Sequence, residues 1–386
     1  MNNIPLYGVV NLPEMEAAAI EVMRSGRIAS GDYVARFEAG IGHIVGQPHV
    51  VSTVDMTSAI VLALHLSGVG PGDEVLTTAF ACMATNSAIA LCGATPVWVD
   101  LLPGTVEMDP DDLLAKTSPR SKAALLYHVA GYPGPAQRIA ALCRPRGIAL
   151  IEDCDNALLA CRDQVHVGGH GDFAVYSFYP NRQINTTEGG ALVCRDPAAA
   201  LRARRLRRFG IDPHTFRNQL GEVNPDSDVP EIGWACTMNN LCAALGCAQL
   251  DSVAGRMRHT RANAAALAAM LDGIPGVRLV PVANGAQAAF WALLVFVEQR
   301  DKVLSSIKEQ GVHVSGIHQR NDAYSGFRHS GPTERGPTER GPTDLPHTTL
   351  VQQQLLGLPC GWWLSDADLT TIATAVRHAV SASTTR

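Results

Sequence analysis

Apolar residues recur along the first half of the chain in two alternating rhythms. Residues 13–26, 57–68, 82–92 and a stretch near 135–146 place them at helical spacing. GDEVLTT (72–78), TPVWVD (95–100), SKAALLYHV (121–129), GIALIEDC (147–154), DFAVYSF (172–178) and GGALVCRD (189–196) are short, nearly continuous apolar runs. Such runs alternating with helices predict a buried, mostly parallel sheet with helices on both faces. The second half reads as a smaller α/β unit. Residues 238–270 are helical, FWALLVFV (290–297) is a strand, and 300–310 and 365–381 are helices. A large α/β domain over 1–250 and a smaller C-terminal α/β domain over 251–386 are therefore expected. In parallel sheets ligands collect beyond the carboxyl ends of the strands. Thr77, His128, Asp153 and Ser177 stand at those ends.

Composition narrows the function classes. With 46% hydrophobic and 17% charged residues over 386 positions, the chain is rich in core and exceeds the usual size of a single core. A net charge of -5 argues against a protein that binds nucleic acid by neutralising phosphates. No run approaches the roughly 18 apolar residues of a membrane span. The opening MNNIPLYGVV lacks a basic signal-type start, so the ten cysteines are expected to be reduced thiols in the cytoplasm. His166 and His170 have a metal pair's helical spacing, but Gly168-Gly169 between them predicts a loop. Cys236, Cys242 and Cys247 lack zinc-site spacing, so no metal is expected. GPTER occurs at 331–335 and 336–340, followed by GPTD at 341–344. Proline and glycine every five residues predict a mobile surface loop there. Of 31 basic residues only Lys116, Lys122, Lys302 and Lys308 are lysines.

The most specific stretch is SFYPNRQINTTEGGALVCRD (177–196). With GDEVLTTAFACMATNSAIALCGATPVWVD (72–100), IEDCDNALLA (151–160), EIGWACTMNNLCAALGCAQL (231–250) and LPCGWWLSDADL (358–369), it forms five ordered blocks. Together they resemble the DegT/DnrJ/StrS-type nucleotide-sugar aminotransferases, which are fold type I enzymes using pyridoxal phosphate (PLP). The resemblance implies a large mixed-sheet domain with a smaller C-terminal α/β domain, a homodimer, and a nucleotide-linked keto sugar or similar keto compound as substrate.

The same resemblance assigns candidate residues. A protonated pyridine nitrogen needs a carboxylate beside it, and Asp153 holds that position; a strand-end aspartate capping the next helix is the plainer alternative. Asn156 would touch the ring hydroxyl and Cys82, close to Phe80, the ring face. Thr57, Ser58 and Ser177 would hold the phosphate at a helix start, although Thr57 and Ser58 read equally well as helix N-caps. Asp153 and Ser177 should then lie within about 10 Å of one another, inside one ligand cleft. In HQRND (318–322), His318, Arg320 and Asn321 are candidates for facing substrate, or parts of a polar loop.

One position departs from the family pattern. Where the family carries the lysine that holds PLP as an imine, this chain has Arg182. A guanidinium stays protonated and is not an amine nucleophile, but can grip an anion with two hydrogen bonds. The cofactor, PLP or its amine form pyridoxamine phosphate (PMP), is then expected to bind without a covalent link. Three readings follow: an enzyme of the aminotransferase family working without its lysine, a PMP-dependent dehydratase-like or other non-transaminating enzyme, and a non-catalytic homologue that binds a sugar or a catalytic partner subunit.

Overall fold

The computed structural model describes residues 3–328 and 344–384. The GPTER repeats fall outside these residues; of that segment only Asp344 is described.

Two helices open the chain, α1 (Pro13–Ser25) and α2 (Asp32–Val45), the second absent from the sequence reading. β1 (Val50–Thr53) leads into α3 (Met56–Leu66), and β2 (Glu74–Thr78) into α4 (Met83–Leu91). β3 (Thr95–Val99), β4 (Ser121–Tyr127), β5 (Ala149–Asp153), the short hairpin β6 (Cys161–Arg162) and β7 (Val165–His166), β8 (Phe173–Ser177) and β9 (Gly190–Cys194) follow. Seven of these form one sheet in the order β1-β9-β8-β5-β4-β2-β3. Pairings from β3 across to β8 are parallel; β9 runs antiparallel to both β8 and β1. β1, β8 and β5 consequently point the same way, and their carboxyl ends share one edge.

The strands are apolar on both faces because both are covered. On one side Ile60, Ala63 and Leu64 of α3 and Ile89 of α4 pack on Val75, Leu125, Ile151 and Val175. On the other, Phe37 and Ile41 of α2 pack with Tyr176, Phe178 and Met257. α3 itself is apolar around most of its surface, as a helix between sheet and neighbours must be.

The later part holds β10 (Val277–Leu279), β11 (Ala286–Gln287), β12 (Leu293–Val297) and β13 (Leu355–Leu358). β10, β12 and β13 make an antiparallel sheet, and β11 joins the β6-β7 hairpin. Helices Leu250–Leu271, Arg300–Glu309 and Asp366–Thr384 contribute to a second core with β12 and β13. Ile4 belongs to that core, so the start of the chain crosses the 250/251 boundary. Two expected elements change. Residues 238–270 divide into Asn240–Cys247 and Leu250–Leu271, with Gln249 buried between them and bonded to Asn185. The strand at 290–297 begins only at Leu293, because Phe290 adopts φ 50°, which is incompatible with extended backbone.

Candidate active site

The end of β5 carries the first group. Asp153 is fully buried. Its Oδ2 accepts from Thr85 Oγ1 in the first turn of α4 at 2.7 Å, and its Oδ1 accepts from the Asp155 amide at 3.0 Å. Both donors are neutral. Burial, then the charge of Asp155, push this carboxyl up to about 7, against the lowering effect of those bonds and of Arg182. Thr85 holds the side chain from another element, which a residue that only caps a local helix would not need.

Two residues further on stands a carboxylate that the sequence reading did not single out. Asp155 is 1% exposed and receives Arg182 Nε at 2.5 Å and Nη2 at 2.9 Å. The remaining Arg182 nitrogen, Nη1, donates to Asn181. The guanidinium carbon lies 5.2 Å from the Trp291 ring centre, and Trp291 stacks on Tyr7 at 4.0 Å. The fork expected to grip an external anion is already closed on an internal one.

Asn156 is buried. Its Nδ2 donates to the Tyr127 hydroxyl at 2.9 Å, its backbone carbonyl accepts from Gln183, and its Oδ1 has no partner. Tyr127, at the end of β4, also contacts His318 Nε2 at 3.1 Å. His318 lies edge-on to Phe80, and burial lowers its pKa to about 4, so the ring is neutral at pH 7. Cys82 precedes α4 beside the same charges; burial and then Asp155 push its thiol up. Asp153, Asn156, Cys82, Arg182 and His318 therefore converge, together with Asp155, Tyr127 and Thr85.

Arg320 and Asn321 do not join them. The Arg320 guanidinium is paired with Asp322 through Nε at 3.0 Å and Nη2 at 2.6 Å, and also donates to Thr349. Asn321 is buried, donates to the Ala81 carbonyl and accepts from Asn86 Nδ2 at 2.8 Å. Asn321 fastens the 318–323 segment to the α4 region, and Arg320 fastens it to the helix Pro346–Gln354 through Thr349.

The phosphate candidates form a second group on the same edge. Asp153 pairs with Val175, and Ser177 lies two residues further along β8. With strands about 4.8 Å apart and a rise of about 3.3 Å per residue, their Cα atoms are about 8 Å apart. Ser177 pairs with Gly190, and a Cβ on Gly190 would sit 2.5 Å from the Asp55 carbonyl oxygen. Glycine there lets β9 approach the start of α3.

The cap of α3 is Asp55, not Thr57 or Ser58, which lie within the first turn. Asp55 Oδ1 accepts the Ser58 amide at 2.7 Å. The Met56 and Thr57 amides have no intrahelical acceptor by helix geometry. Glu188 is close enough for the Asp55 charge to add to burial in raising its pKa. Asp55, Thr57 and Ser58 border a cavity of about 710 Å³ with His65, Trp234 and Cys236.

Among the described residues no helix is long and apolar enough to cross a membrane. The description "DegT/DnrJ/EryC1/StrS aminotransferase family" matches residues 12–377. A dTDP-4-dehydro-2,3,6-trideoxy-D-glucose 4-aminotransferase of Saccharopolyspora spinosa is 32% identical over 315 residues, 80% of this chain and 81% of that protein. The crystal structure of the aminotransferase TlmJ from Streptoalloteichus hindustanus superposes with a TM-score of 0.90 at 29% identity, covering 99% of this chain and 100% of the other. The sugar aminotransferase CalS13 from Micromonospora echinospora gives 0.89 at 32%, covering 97% and 99%. The architecture is thus fold type I, that of the PLP-dependent sugar aminotransferases. With a match over nearly its whole length and these relatives, the chain belongs to the DegT/DnrJ/EryC1/StrS aminotransferase family.

Proposed function

We propose that this protein acts on a nucleotide-linked keto sugar or similar keto compound, in a site that holds a pyridine cofactor without a covalent bond. The observation that carries the reading is the buried Arg182–Asp155 pair, at the position that the sequence resemblance aligns with the family's lysine. Arginine supplies no neutral amine. The four lysines stand elsewhere: Lys116 binds Asp112 and the Trp98 carbonyl, and Lys122, Lys302 and Lys308 are exposed.

The residues at the end of β5 fit the ring. Asp153 is a buried carboxylate whose bonded partners are two neutral donors, so a protonated ring nitrogen is the counter-charge it calls for. The unpartnered Asn156 Oδ1 calls for a donor, which a ring hydroxyl would be. Ser177, Thr57 and the first free amides of α3 would hold the phosphate, and Cys82 would flank the ring. Bound there, PMP supplies an amino group and an electron sink. The chain's own part is to keep a positive nitrogen opposite Asp153, and to present His318 as a neutral ring next to Tyr127. Ordinary transamination would have to proceed without the lysine; a PMP-dependent dehydratase-like or other non-transaminating reaction needs none. A homodimer in the cytoplasm is the assembly and location proposed with it.

A second reading, a non-catalytic homologue binding a sugar or a catalytic partner subunit, has one observation in its favour. The Asp55 carboxylate occupies the helix start where a phosphate would sit, and like charges oppose each other there. Equilibrium dialysis with PMP and with PLP decides between them. Saturable binding of either, lost in Asp153→Asn, supports the enzyme reading. Absence of binding to the folded protein supports the second.

A further inference from the structure

Asp153 is held from two directions, and one of them lies outside its own segment. The Asp155 amide, at 3.0 Å from Oδ1, is two residues along the chain. The Thr85 hydroxyl, at 2.7 Å from Oδ2, comes from α4, 68 residues away in sequence. Thr85 and Asp153 are both fully buried. The turn that carries Thr85 is itself pinned through its neighbour. Asn86 Oδ1 accepts from Thr77 Oγ1 at 2.8 Å, and Asn86 Nδ2 donates to the Thr78 carbonyl at 3.1 Å and to Asn321 Oδ1 at 2.8 Å. These bonds tie the start of α4 to the end of β2 and to the 318–323 segment, so the hydroxyl reaches Asp153 from a fixed point. A hydroxyl donating to a carboxylate favours the ionised form, most of all where water does not compete. The other titratable and charged groups around Asp153 are Cys154 and Asp155 after β5, Arg182, Cys82 before α4 and Tyr127 at the end of β4. Of these Arg182 favours the carboxylate, but its own bonds go to Asp155 and Asn181.

We propose that Thr85 is a positioning residue that fixes the Asp153 carboxylate and keeps it ionised toward the ring nitrogen of a bound pyridine cofactor. This rests on the reading that the site accepts such a cofactor. One proton is then shared between two bases, the ring nitrogen and the Asp153 carboxylate. A hydroxyl donating to the carboxylate makes it the weaker base of the two and leaves the proton on the nitrogen. Without the hydroxyl the carboxylate becomes the stronger base, and the same proton moves toward it.

The test uses Thr85→Val, which keeps the shape and removes the hydroxyl, and Thr85→Ser, which keeps the hydroxyl. Thr85→Ala replaces the valine variant if that one does not fold, as checked by circular dichroism. Infrared spectroscopy of the dialysed protein follows the band of the protonated carboxyl against pH, assigned by its loss in Asp153→Asn. Equilibrium dialysis measures PMP bound, and nitrogen NMR of PMP labelled in the ring reads where the shared proton sits. The expected result is an Asp153 midpoint raised by about one pH unit in Thr85→Val, a tenfold change in proton affinity, and restored in Thr85→Ser. With PMP bound at pH 7, the ring nitrogen signal should shift toward the unprotonated form in Thr85→Val and return in Thr85→Ser. An unmoved infrared midpoint in the folded valine or alanine variant would overturn the inference and leave the cofactor reading intact. So would a ring nitrogen signal that is the same in all variants that bind PMP. If the wild-type protein does not bind PMP by dialysis, the cofactor reading fails and the inference with it.

Discussion

The two ends of the site, Asp153 with Asn156 at one and the Arg182–Asp155 pair at the other, lie on one edge of one sheet, yet their polar groups are in opposite states. At β5, Asp153 is buried with neutral donors as its bonded partners, and Asn156 Oδ1 has no partner. At Arg182 the charge is already answered, by Asp155 through two hydrogen bonds. Buried polar groups are nearly always paired in folded proteins, so an unmet one points to a missing partner, whereas a satisfied set points to stability. By this criterion the end of β5 leaves an acceptor unmet at Asn156, whereas the Arg182 side chain is committed to Asp155.

The largest effect should come from breaking the closed region. Replacing Arg182 by leucine leaves Asp155 buried without its cation and should cost about 3–5 kcal/mol in urea unfolding. The double Asp155→Leu/Arg182→Leu should recover most of that loss. If the single change costs under about 1 kcal/mol, as an exposed pair would, the contrast between the two ends fails.

The open region should show itself through pH. The Asp153 carboxyl is raised by burial to about 7, so the folded state binds a proton that the unfolded state releases near the ordinary carboxylate range. Its contribution is fully present below pH ~4 and is lost as the pH rises through about 7, by ~4 kcal/mol at most. Asp153→Asn should flatten stability over that window. If the slope is unchanged, Asp153 is not the buried acid described here. His318, lowered to about 4, works in the other direction: stability should fall as the pH drops from about 6.5 through 4.

A smaller effect separates fastening residues from contacting ones. Asn321→Ala removes bonds to Asn86 and to the Ala81 carbonyl and should cost about 1–3 kcal/mol, with ligand affinity changed less than twofold. A large affinity change with intact stability would return Asn321 to the site. Smallest is the cap: Asp55→Ala should cost about 1 kcal/mol, whereas Asp55→Asn keeps the cap and should tighten PMP binding. Weaker binding by the asparagine variant would show that the Asp55 charge does not oppose phosphate.

The sequence made the sheet and the β5-end residues legible because apolar runs and strand ends are local signals. Asp153 stood out at a strand end, and Asn156, Cys82 and Arg182 were singled out through the resemblance of their blocks to the family pattern. The partner of Arg182 was not, since Asp155 is 27 residues away and sequence spacing does not reveal which carboxylate a guanidinium will meet. Arg320 was ambiguous in the sequence for the opposite reason. Its partner Asp322 is only two residues on, and a polar loop segment looks the same whether its charges face inward to one another or outward to a ligand. α2 escaped notice beside the stronger neighbouring patterns, although its Phe37 and Ile41 are fully buried.

The central claim is that this site binds its cofactor without a covalent link. The most direct measurement is absorbance of the wild-type protein titrated with PLP and then with PMP, followed by borohydride reduction and peptide mapping. The account predicts saturable binding with only the near-ultraviolet band of PMP, no visible band with PLP that survives dialysis, and no reduced adduct beyond weak labelling of the exposed lysines. A stoichiometric adduct on any single residue, with the visible band that precedes it, would contradict it.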